Sequence, residues 1–553
     1  MKKFIILLVF VFTINIFSQT TNQGTPKSWK LHIKNKVEPI VLPQLNFDKI
    51  IQEDTNNDSV KGKPYRVGIP LKVNKNLFNS GTWITLENGD RLWLLEVESK
   101  DALYLSFNLS DFYLPKKATL YFYNDDKSDV LGAYTNLNNN KSKKLGTWFV
   151  KGSKVWVEYY EPKEVAGKGN FTISEVIHVY RLKGEHQIKG NTRLNESGDC
   201  NLDVDCPVGA DFDPTKDIVK HSIAFLSMGN GYICSGSLIN NTANDKTPYF
   251  LTANHCYTDG NGNPSNPALY AMRFNWITSG TPVCASTQNS ANGPQYQVMN
   301  GAVLRAKHQT ADFMLVQLNN AIPQSWDIEF EGWDRSDTNP SFEVGIHHPS
   351  GDIMKVCRDN TGAIKTSTGG IPIWVIGGTS FGGGGGWELG VTEGGSSGSP
   401  LFNQDGRVIG QLWAGSAACQ GTNDNNDIDY YGRFAASWNG GGTPSTRLSD
   451  WLDPLGTGSL TTDSLSVTAS VDEVGLLHFD VYPNPTKGII NVKANGLDSN
   501  YTFKIIDVLG KTVKSGLLNS KIDISDLESN FYFLKITDVN TNKFFIKKIV
   551  LTK

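Results

Sequence analysis

The sequence predicts an all-β protein of several domains, and three observations support this prediction. Short runs such as RLWLLEVES, ALYLSFNL and KVWVEYY alternate apolar and polar residues, as half-buried strands do. Asn, Asp, Gly and Pro residues bound these runs, and long helical periodicity is absent. A length of 553 residues exceeds one ordinary domain. The net charge of −3 gives no indication of binding to nucleic acid or to an anionic membrane.

Residues 1–18 are expected to form a cleavable secretory signal. Lys2 and Lys3 precede a mostly apolar run, Phe4–Phe17, and the small residue Ser18 follows it. A membrane anchor would need about 20 apolar residues. We therefore expect cleavage near Ser18 or Gln19 and no membrane span in the mature protein.

Residues 19–189 are predicted to form a β-rich propeptide with the architecture of a β-sandwich. They contain no cysteine, and turn residues separate their strand-like runs. The polar stretch KGEHQIKGNTRLNESGDC follows and contains Lys183, Lys189 and Arg193. Because this stretch is polar and ends where the cysteines begin, we expect an exposed linker that is cleaved after Lys189.

The remainder of the chain is expected to form two more domains. Residues 190–456 contain all seven cysteines, between positions 200 and 419, which predicts a separate disulfide-bearing domain with one cysteine left over. Residues 457–476 are rich in Ser, Thr and Gly and poor in aromatic residues, as linkers are. Residues 477–553 then contain the strand-like runs GIINV, YTFKIID, FYFLKI and FFIKKIVL, which predict a small β unit.

The segment GVTEGGSSGSPLF, residues 390–402, contains candidate nucleophilic serines. GGSSG fits the Gly-x-Ser-x-Gly elbow of α/β-hydrolases, which would select Ser396. An elbow is followed by a helix, whereas Pro400 and LFNQDGRVIGQLW predict a hairpin. In that fold the catalytic histidine also follows the serine, and only His478 does so here. Both observations argue against the elbow.

The alternative is the order His, Asp, Ser along the chain, and the sequence offers each member. His255 follows a short apolar strand in LTANHCY, and Asp312 opens the apolar strand DFMLVQL, where a carboxylate could be buried. A neutral serine hydroxyl is a poor nucleophile until an imidazole takes its proton. Asp312 would orient His255 and stabilise its imidazolium. Ser397 would then be the nucleophile, and the backbone N–H groups of Gly395 and Ser397 would bind the developing oxyanion.

Three stretches of the middle domain resemble bacterial lysyl endopeptidases, which are secreted trypsin-like serine proteases. These stretches are GSLINNTANDKTPYFLTANHC, GVTEGGSSGSPLF and YYGRFAASWNGGGTPSTRLSDWLDP, and the resemblance covers roughly residues 198–456. It implies a chymotrypsin-like double β-barrel with the cleft between the barrels. It also places His255, Asp312 and Ser397 at the positions of a catalytic triad.

The resemblance further implies three disulfides and a route of maturation. The disulfides would join Cys200 to Cys419, Cys206 to Cys284, and Cys234 to Cys256. Cys357 matches none of these positions, so it is expected to be a buried or unpaired thiol without a role. Trypsin has an aspartate where this chain has Ser396, and that aspartate receives the new N-terminal ammonium when the zymogen is cut. Since Ser396 cannot do so, maturation is expected to act by removal of the propeptide.

The same resemblance implies a pocket for a lysine side chain. A protease that prefers a cation needs a fixed anion at the base of its pocket. The resemblance places this pocket aspartate at Asp429. Trp413 and Ala414 depart from the family, which can have histidine and glycine at these positions. The Ala414 methyl group would narrow the entrance, and linear lysine would pass it more easily than the planar guanidinium of arginine.

The C-terminal unit, from FDVYPNPTKGIINV to FFIKKIVLTK, resembles the sorting domain of the type IX secretion system. A small carbohydrate-binding or adhesive β-domain is the alternative. The resemblance implies recognition by the type IX secretion machinery, passage through the periplasm and outer membrane, and a secreted or cell-surface location.

Together these features predict a secreted serine endopeptidase that cleaves protein or peptide substrates after lysine. The alternatives are a trypsin-like protease that accepts Arg and Lys, a catalytically inactive adhesion or binding protein on the same fold, and a lipase or esterase. We expect no cofactor and no metal. His347 and His348 are adjacent, so on a strand they point to opposite faces, and no further ligand motif lies near them.

Overall fold

The structure is a computed structural model that describes residues 24–31, 37–58, 62–181, 197–293, 296–377, 385–419, 427–468, 479–493, 501–507, 511–539 and 544–553. The predicted signal segment, the bond after Lys189, His478 and residues 469–476 of the second linker lie outside the described residues. The chain divides into two compact units, residues 1–467 and residues 468–553.

The first part of the larger unit consists mostly of strands. Its helices are α1 (Lys27–Leu31) and α2 (Phe47–Asp58). Its strands are β1 (Ile40–Val41), β2 (Tyr65–Arg66), β3 (Gly68–Asn76), β4 (Thr82–Thr85), β5 (Arg91–Glu98), β6 (Tyr104–Tyr113), β7 (Thr119–Asn124), β8 (Val130–Tyr134), β9 (Leu145–Gly146), β10 (Val150–Lys151), β11 (Lys154–Glu161) and β12 (Asn170–Val179).

These strands, apart from β2, form two packed sheets. One has the order β1-β5-β11-β7-β8 with β4 beside β5, and the other has the order β10-β6-β12-β3 with β9 beside β6. Alternate apolar residues of the two sheets, such as Leu95, Phe107, Phe122 and Phe171, are buried in one core. The predicted β-sandwich is confirmed, and we call it the N-terminal sandwich.

The second part of the larger unit contains the cysteines. Its helices are α3 (Asp213–Val219), α4 (Phe434–Asn439) and α5 (Ser449–Leu452). Its strands are β13 (Leu202–Asp203), β14 (Ile223–Ser227), β15 (Tyr232–Ile239), β16 (Tyr249–Ala253), β17 (Ala271–Phe274), β18 (Gln297–Asn300), β19 (Ala302–His308), β20 (Phe313–Leu318), β21 (Glu329–Phe330), β22 (Trp333–Asp334), β23 (Glu343–His347), β24 (Lys355–Asp359), β25 (Ile364–Thr368), β26 (Ile371–Ile376), β27 (Pro400–Asn403), β28 (Val408–Gly415), β29 (Asp429–Arg433), β30 (Thr461–Thr462) and β31 (Leu465–Ser466).

Two large, mainly antiparallel sheets and the two-stranded sheet β21-β31 make up this part. The first sheet has the order β18-β17-β14-β15-β16-β20-β19, and the second has the order β13-β24-β23-β27-β28-β29-β26-β25. Leu226, Phe250 and Met314 belong to a core of the first sheet, and Trp374 and Tyr431 belong to a core of the second. A third core joins the two sheets. This is the chymotrypsin-like arrangement that the resemblance implied, with a cleft where the sheets meet.

The N-terminal sandwich packs directly against the first of these sheets. The Trp148 ring lies edge-on to Phe225, with ring centroids 5.2 Å apart. Asn108 Nδ2 donates to the Gly229 carbonyl oxygen at 2.6 Å. Strand β2 leaves the sandwich altogether and pairs with β15 of the first sheet. The two parts therefore share both apolar and polar contacts.

The smaller unit consists of two further sheets. Its strands are β32 (Asp480–Tyr482), β33 (Ile489–Lys493), β34 (Tyr501–Ile506), β35 (Thr512–Leu517), β36 (Lys521–Asp523), β37 (Phe531–Asp538) and β38 (Phe544–Val550), in the orders β32-β33-β36 and β35-β34-β37-β38. Ile490, Ile505, Leu534 and Ile549 are buried between them, which confirms the predicted small β-sandwich. Within the described residues of the whole chain, no helix has the length and apolar character needed to cross a membrane.

Candidate active site

His255 and Asp312 are brought together by two neighbouring strands. β16 pairs antiparallel with β20, and Ala253 lies opposite Phe313. His255 follows β16 and Asp312 precedes β20, so both side chains lie at the same edge of the first sheet. His255 Nδ1 donates to Asp312 Oδ2 at 2.7 Å, and the His255 backbone N–H donates to Asp312 Oδ1 at 2.9 Å. Asp312 thereby fixes both the position and the tautomer of the imidazole.

The Asp312 carboxyl group is held away from water in a tight turn. Ala311 and Asp312 have φ angles of 64° and 50°, in the left-handed region, and Asp312 is only 3% exposed. Burial raises the pKa of Asp312, while the positive charge of protonated His255 and its hydrogen bonds lower it. His255 Nε2 is also buried and accepts no hydrogen bond from the described residues. That nitrogen is therefore available to take a proton from a nucleophile.

Ser397 lies on a turn that is fastened to the first sheet. Its carbonyl oxygen accepts a hydrogen bond from the Ser235 backbone N–H at 2.8 Å and lies 3.8 Å from Cys256 Sγ, the residue after His255. Gly398 has a φ of 81°, and a Cβ there would lie 2.1 Å from Thr252 Oγ1, so only glycine fits. These contacts hold the Ser397 backbone against β15 and against Cys256, the residue after His255, and no hydrogen bond joins Ser397 Oγ to His255 Nε2 in this structure.

The backbone amides that the sequence predicts to bind an oxyanion lie on the turn that carries Ser397. The N–H groups of Gly395 and Ser397 have no acceptor among the described residues. Gly395 has a φ of 91°, and its own carbonyl oxygen accepts a hydrogen bond from Ser235 Oγ at 3.0 Å. The turn is thus held from its carbonyl side. N–H groups without a described acceptor, on either side of Ser396 in the chain, are the kind of donors that can bind a developing oxyanion.

Ser396 has a different environment from Ser397. Its side chain is fully buried, and its Oγ forms a 2.7 Å hydrogen bond with His347 Nδ1 and accepts the Glu393 backbone N–H at 3.2 Å. The strand β27 follows the turn, not the helix that an α/β-hydrolase elbow requires. A hydroxyl held in this way is poorly placed to attack a substrate.

Asp429, at the start of β29, is fully buried behind the wall of the cleft. Its Oδ2 accepts hydrogen bonds from Trp387 Nε1 at 2.8 Å and from Thr392 Oγ1 at 2.5 Å. On the other side, a Cβ on Gly415 would lie 2.1 Å from Asp429 Oδ1. The neighbouring residue Ala414 lines the cavity that contains Ser397. The donors Trp387 Nε1 and Thr392 Oγ1 are both neutral, so neither cancels the charge of the carboxylate.

Trp413 and Ala414 lie on β28 in the wall of that cavity. The Trp413 ring lies against Tyr430, with centroids 6.1 Å apart. Besides these two residues and Ser397, the cavity is lined by residues from both parts of the larger unit: Asn57, Asp58, Lys63, Pro64, Tyr65, Glu393, Gly394 and Leu412. Of the predicted site residues, Ser397, Trp413 and Ala414 line this cavity, whereas His255, Asp312, Gly395 and Asp429 are not among its lining residues.

The structure contains three disulfides, and they have the pairing that the resemblance implied. They are Cys200–Cys419, Cys206–Cys284 and Cys234–Cys256. The third joins β15 to the short 3₁₀ helix Asn254–Tyr257, which carries His255. Cys357 keeps its thiol and is buried, with its Sγ 3.7 Å from the Gly345 carbonyl oxygen.

His347 and His348 are each bound to nearby groups. His348 Nδ1 hydrogen-bonds with the Asp352 carbonyl oxygen at 2.9 Å, and its ring stacks on Trp276. The sequence did not reveal that His347 supports Ser396, because the two are 49 residues apart. It also gave no sign that Lys63 and Pro64 enter the cleft, since GKPY carries no motif of its own.

The chain matches two known families. The family described as "Lysyl endopeptidase, C-terminal domain" matches residues 194–432. This part of the chain is thus similar to the C-terminal domain of lysyl endopeptidases. The family described as "Secretion system C-terminal sorting domain" matches residues 480–552, which indicates a secreted or surface protein.

The individual proteins that resemble this chain have low sequence identity to it. A lysyl endopeptidase of Pseudomonas aeruginosa is 23% identical over 390 residues, which cover 68% of this chain and 80% of that protein. Among solved structures, the inactive form of Rv3671c from M. tuberculosis H37Rv is 13% identical, with a TM-score of 0.25 over 40% of this chain and 84% of that one. Deg5 is 12% identical, with a TM-score of 0.22 over 39% of this chain and 88% of that one. The family match and the named relative support a secreted serine protease.

Proposed function

We propose that the protein is a secreted serine endopeptidase that cleaves after lysine and uses Ser397, His255 and Asp312. The observation that carries this proposal is the geometry around His255. Its Nδ1 is bound to a buried carboxylate, its Nε2 carries no hydrogen bond among the described residues, and Ser397 lies on the adjacent turn. This combination is what general-base activation of a serine requires.

The reaction would proceed by acyl transfer. Ser397 Oγ attacks the carbonyl carbon of the scissile bond while His255 Nε2 takes its proton. The charge that develops on the carbonyl oxygen is bound by the N–H groups of Gly395 and Ser397, which have no other described acceptor. His255 then gives the proton to the leaving amine, and water repeats the sequence to release the acid. Asp312 stabilises the imidazolium throughout.

The preference for lysine rests on Asp429 and Ala414. A buried carboxylate behind the cleft wall would attract a cationic side chain, and the hydrogen-bond donors Trp387 and Thr392 that hold it are neutral groups. Ala414 lines the cleft, and its methyl group would narrow the entrance to the pocket. A linear ammonium would pass this point more easily than a planar guanidinium.

The test is a comparison of two adjacent serines. Ser397→Ala or His255→Ala should lower kcat for a lysine peptide amide on the order of a millionfold. Ser396→Ala is the matched control and should cost far less. A phosphonate probe should label Ser397 in the mature protein. An active Ser397→Ala variant would contradict the proposal, and absence of labelling and amidase activity would favour a binding protein on the same fold.

A further inference from the structure

Residues 62–66 cross the candidate cleft, and we call them the cleft strand. Lys63, Pro64 and Tyr65 line the same cavity as Ser397. Pro64 is buried there, whereas Lys63 is exposed. The cleft strand belongs to the segment predicted to be removed on maturation, so in this structure that segment occupies the place of a substrate.

One end of the cleft strand lies at the wall that leads to Asp429. A Cβ on Gly62 would lie 3.3 Å from the Ala414 Cβ and 3.6 Å from the Trp413 carbonyl oxygen. Both residues are on β28, and the next residue, Gly415, packs against Asp429 Oδ1. Gly62 therefore lies on the side of the cleft that contains the proposed lysine pocket.

The other end pairs with the first sheet beside His255. Tyr65 lies opposite Ile233 in an antiparallel pair between β2 and β15. The next residue, Cys234, is disulfide-bonded to Cys256, which follows His255. Because His255 must deliver a proton to the leaving amine, this is the leaving-group side of the cleft. The chain thus runs from the pocket side to the leaving-group side, which is the direction of a substrate.

The bond between Lys63 and Pro64 lies between these two ends, in the cavity with Ser397. We infer that the cleft strand binds as a substrate-like inhibitor, with Lys63–Pro64 at the position of the scissile bond, and that Pro64 protects this bond from cleavage. The inference rests on the proposed endopeptidase function. It assigns to the cleft a ligand of defined chemistry, a peptide with the sequence Lys-Pro followed by an aromatic residue.

Two features make the bond a poor substrate although it is held in place. The proline nitrogen carries a ring carbon where other residues carry hydrogen, so the ring crowds the side from which His255 would protonate the leaving nitrogen. The Lys63 side chain is also exposed, and its Nζ donates to Asn57 Oδ1 at 3.0 Å and forms no ion pair with Asp429. The strand therefore fills the cleft without placing its charge near Asp429.

Contacts outside the cleft hold the strand in this position. The Arg181 guanidinium lies 4.0 Å above the Tyr65 ring, and its Nε donates to the Arg66 carbonyl oxygen at 2.6 Å. Arg181 also forms a bidentate ion pair with Asp58. Arg66 Nε donates to Asp54 Oδ1 at 2.8 Å on α2. Tyr65 itself packs on the cleft turn, where a Cβ on Gly394 would lie 2.6 Å from its ring.

The test is Pro64→Ala in the full-length chain. We expect cleavage after Lys63 at least about 100-fold faster than in wild type, because the leaving nitrogen then becomes accessible to the general acid. The readout is a new N-terminus at position 64, found by sequencing or mass spectrometry. Pro64→Ala combined with Ser397→Ala should not be cut, and Pro70→Ala, outside the cleft, should produce no new terminus.

A second measurement does not depend on folding of the variant. The peptide GKPYRVG, residues 62–68, should inhibit the mature enzyme competitively and remain intact, whereas GKAYRVG should be cut after lysine. If the mature enzyme cleaves other lysine amides but the Pro64→Ala chain gains no cut at position 63 and GKPYRVG does not compete, this inference is wrong and the proposed function stands. If no lysine amide is cleaved at all, the proposed function fails and this inference fails with it.

Discussion

At the scale of single residues, the role of Asp429 is either to set substrate specificity or only to support the structure, and a substitution can distinguish the two. Its carboxylate is buried and held by Trp387 and Thr392. Removing the charge while keeping the shape should remove the attraction for a cation. Asp429→Asn should therefore cost about 2 to 5 kcal/mol for a lysine substrate, or roughly 30-fold to several-thousand-fold in kcat/KM. Substrates with a neutral residue before the scissile bond should change little.

The measurement is a set of peptide amides that differ only in the residue before the cleaved bond. Asp427→Asn is the matched control, since Asp427 is two residues earlier and only half-buried. Equal losses on lysine and neutral substrates would show that Asp429 is structural. A wild-type preference for neutral residues would contradict the lysine assignment, and equal rates on lysine and arginine would support the broader trypsin-like alternative.

A second buried carboxyl group, Glu343, is expected to make stability depend on pH. Glu343 on β23 lies opposite Asp359 on β24, and both are fully buried. Glu343 Oε2 accepts the Ala363 backbone N–H at 2.9 Å, while Oε1 has no donor among the described residues. Burial, reinforced by the charge of Asp359, raises the pKa of Glu343 well above its usual range. Glu343 therefore favours its protonated form in the folded protein.

The sign of the pH dependence follows from this shift. Above the ordinary carboxyl pKa of about 4.5, the unfolded chain loses the Glu343 proton while the folded chain keeps it, so stability falls as pH rises. Glu343→Gln should flatten this fall at pH values above the ordinary carboxyl pKa and raise Tm at the alkaline end. Apparent Tm is measured in a Ser397→Ala background, which prevents self-digestion, with the exposed Glu87→Gln as control. An unchanged or steeper pH dependence in Glu343→Gln would contradict the assignment.

At the scale of elements, the sequence predicts what depends on local pattern. The alternation around LTANHCY and DFMLVQL predicts two strands, and their pairing as β16 and β20 places His255 beside Asp312. The hairpin after Pro400 is likewise visible in the sequence and is formed by β27 and β28. In these regions each strand is long enough for its pattern of apolar and polar residues to be recognised.

Very short strands, and contacts between residues far apart in the sequence, could not be predicted in this way. Strand β2 has only two residues, Tyr65 and Arg66, so it shows no alternation, and its partner β15 is more than 160 residues away. Its position depends on α2 and on Arg181, which hold it from outside the cleft. The partners of Asp429 are also outside any local pattern, since Trp387 and Thr392 precede it by 42 and 37 residues. Tertiary packing decides these contacts.

At the scale of the whole molecule, noncovalent contacts hold the N-terminal sandwich against the part of the larger unit that is similar to lysyl endopeptidases. Phe225, Ile233 and Trp276 of that part belong to the same apolar core as the sandwich. Asn300 Nδ2 donates to the Gly146 carbonyl oxygen at 2.8 Å, and Tyr296 Oη donates to the Phe149 carbonyl oxygen at 3.1 Å. Cutting the linker removes none of these contacts, so the two fragments should remain together.

Maturation is therefore expected to need two events, of which the first is self-cleavage after Lys189. The bond lies in polar sequence before the first cysteine, and a lysine precedes it. Wild-type precursor should yield a new N-terminus at Gly190, whereas pure Ser397→Ala precursor should stay intact. After the cut, the fragments should co-elute in size-exclusion chromatography and show little amidase activity, because residues 62–66 still fill the cleft. Activity should rise only when the sandwich is degraded or stripped away. Full activity in the co-eluting complex would contradict this sequence of events, and normal maturation of Ser397→Ala would show that another protease makes the cut.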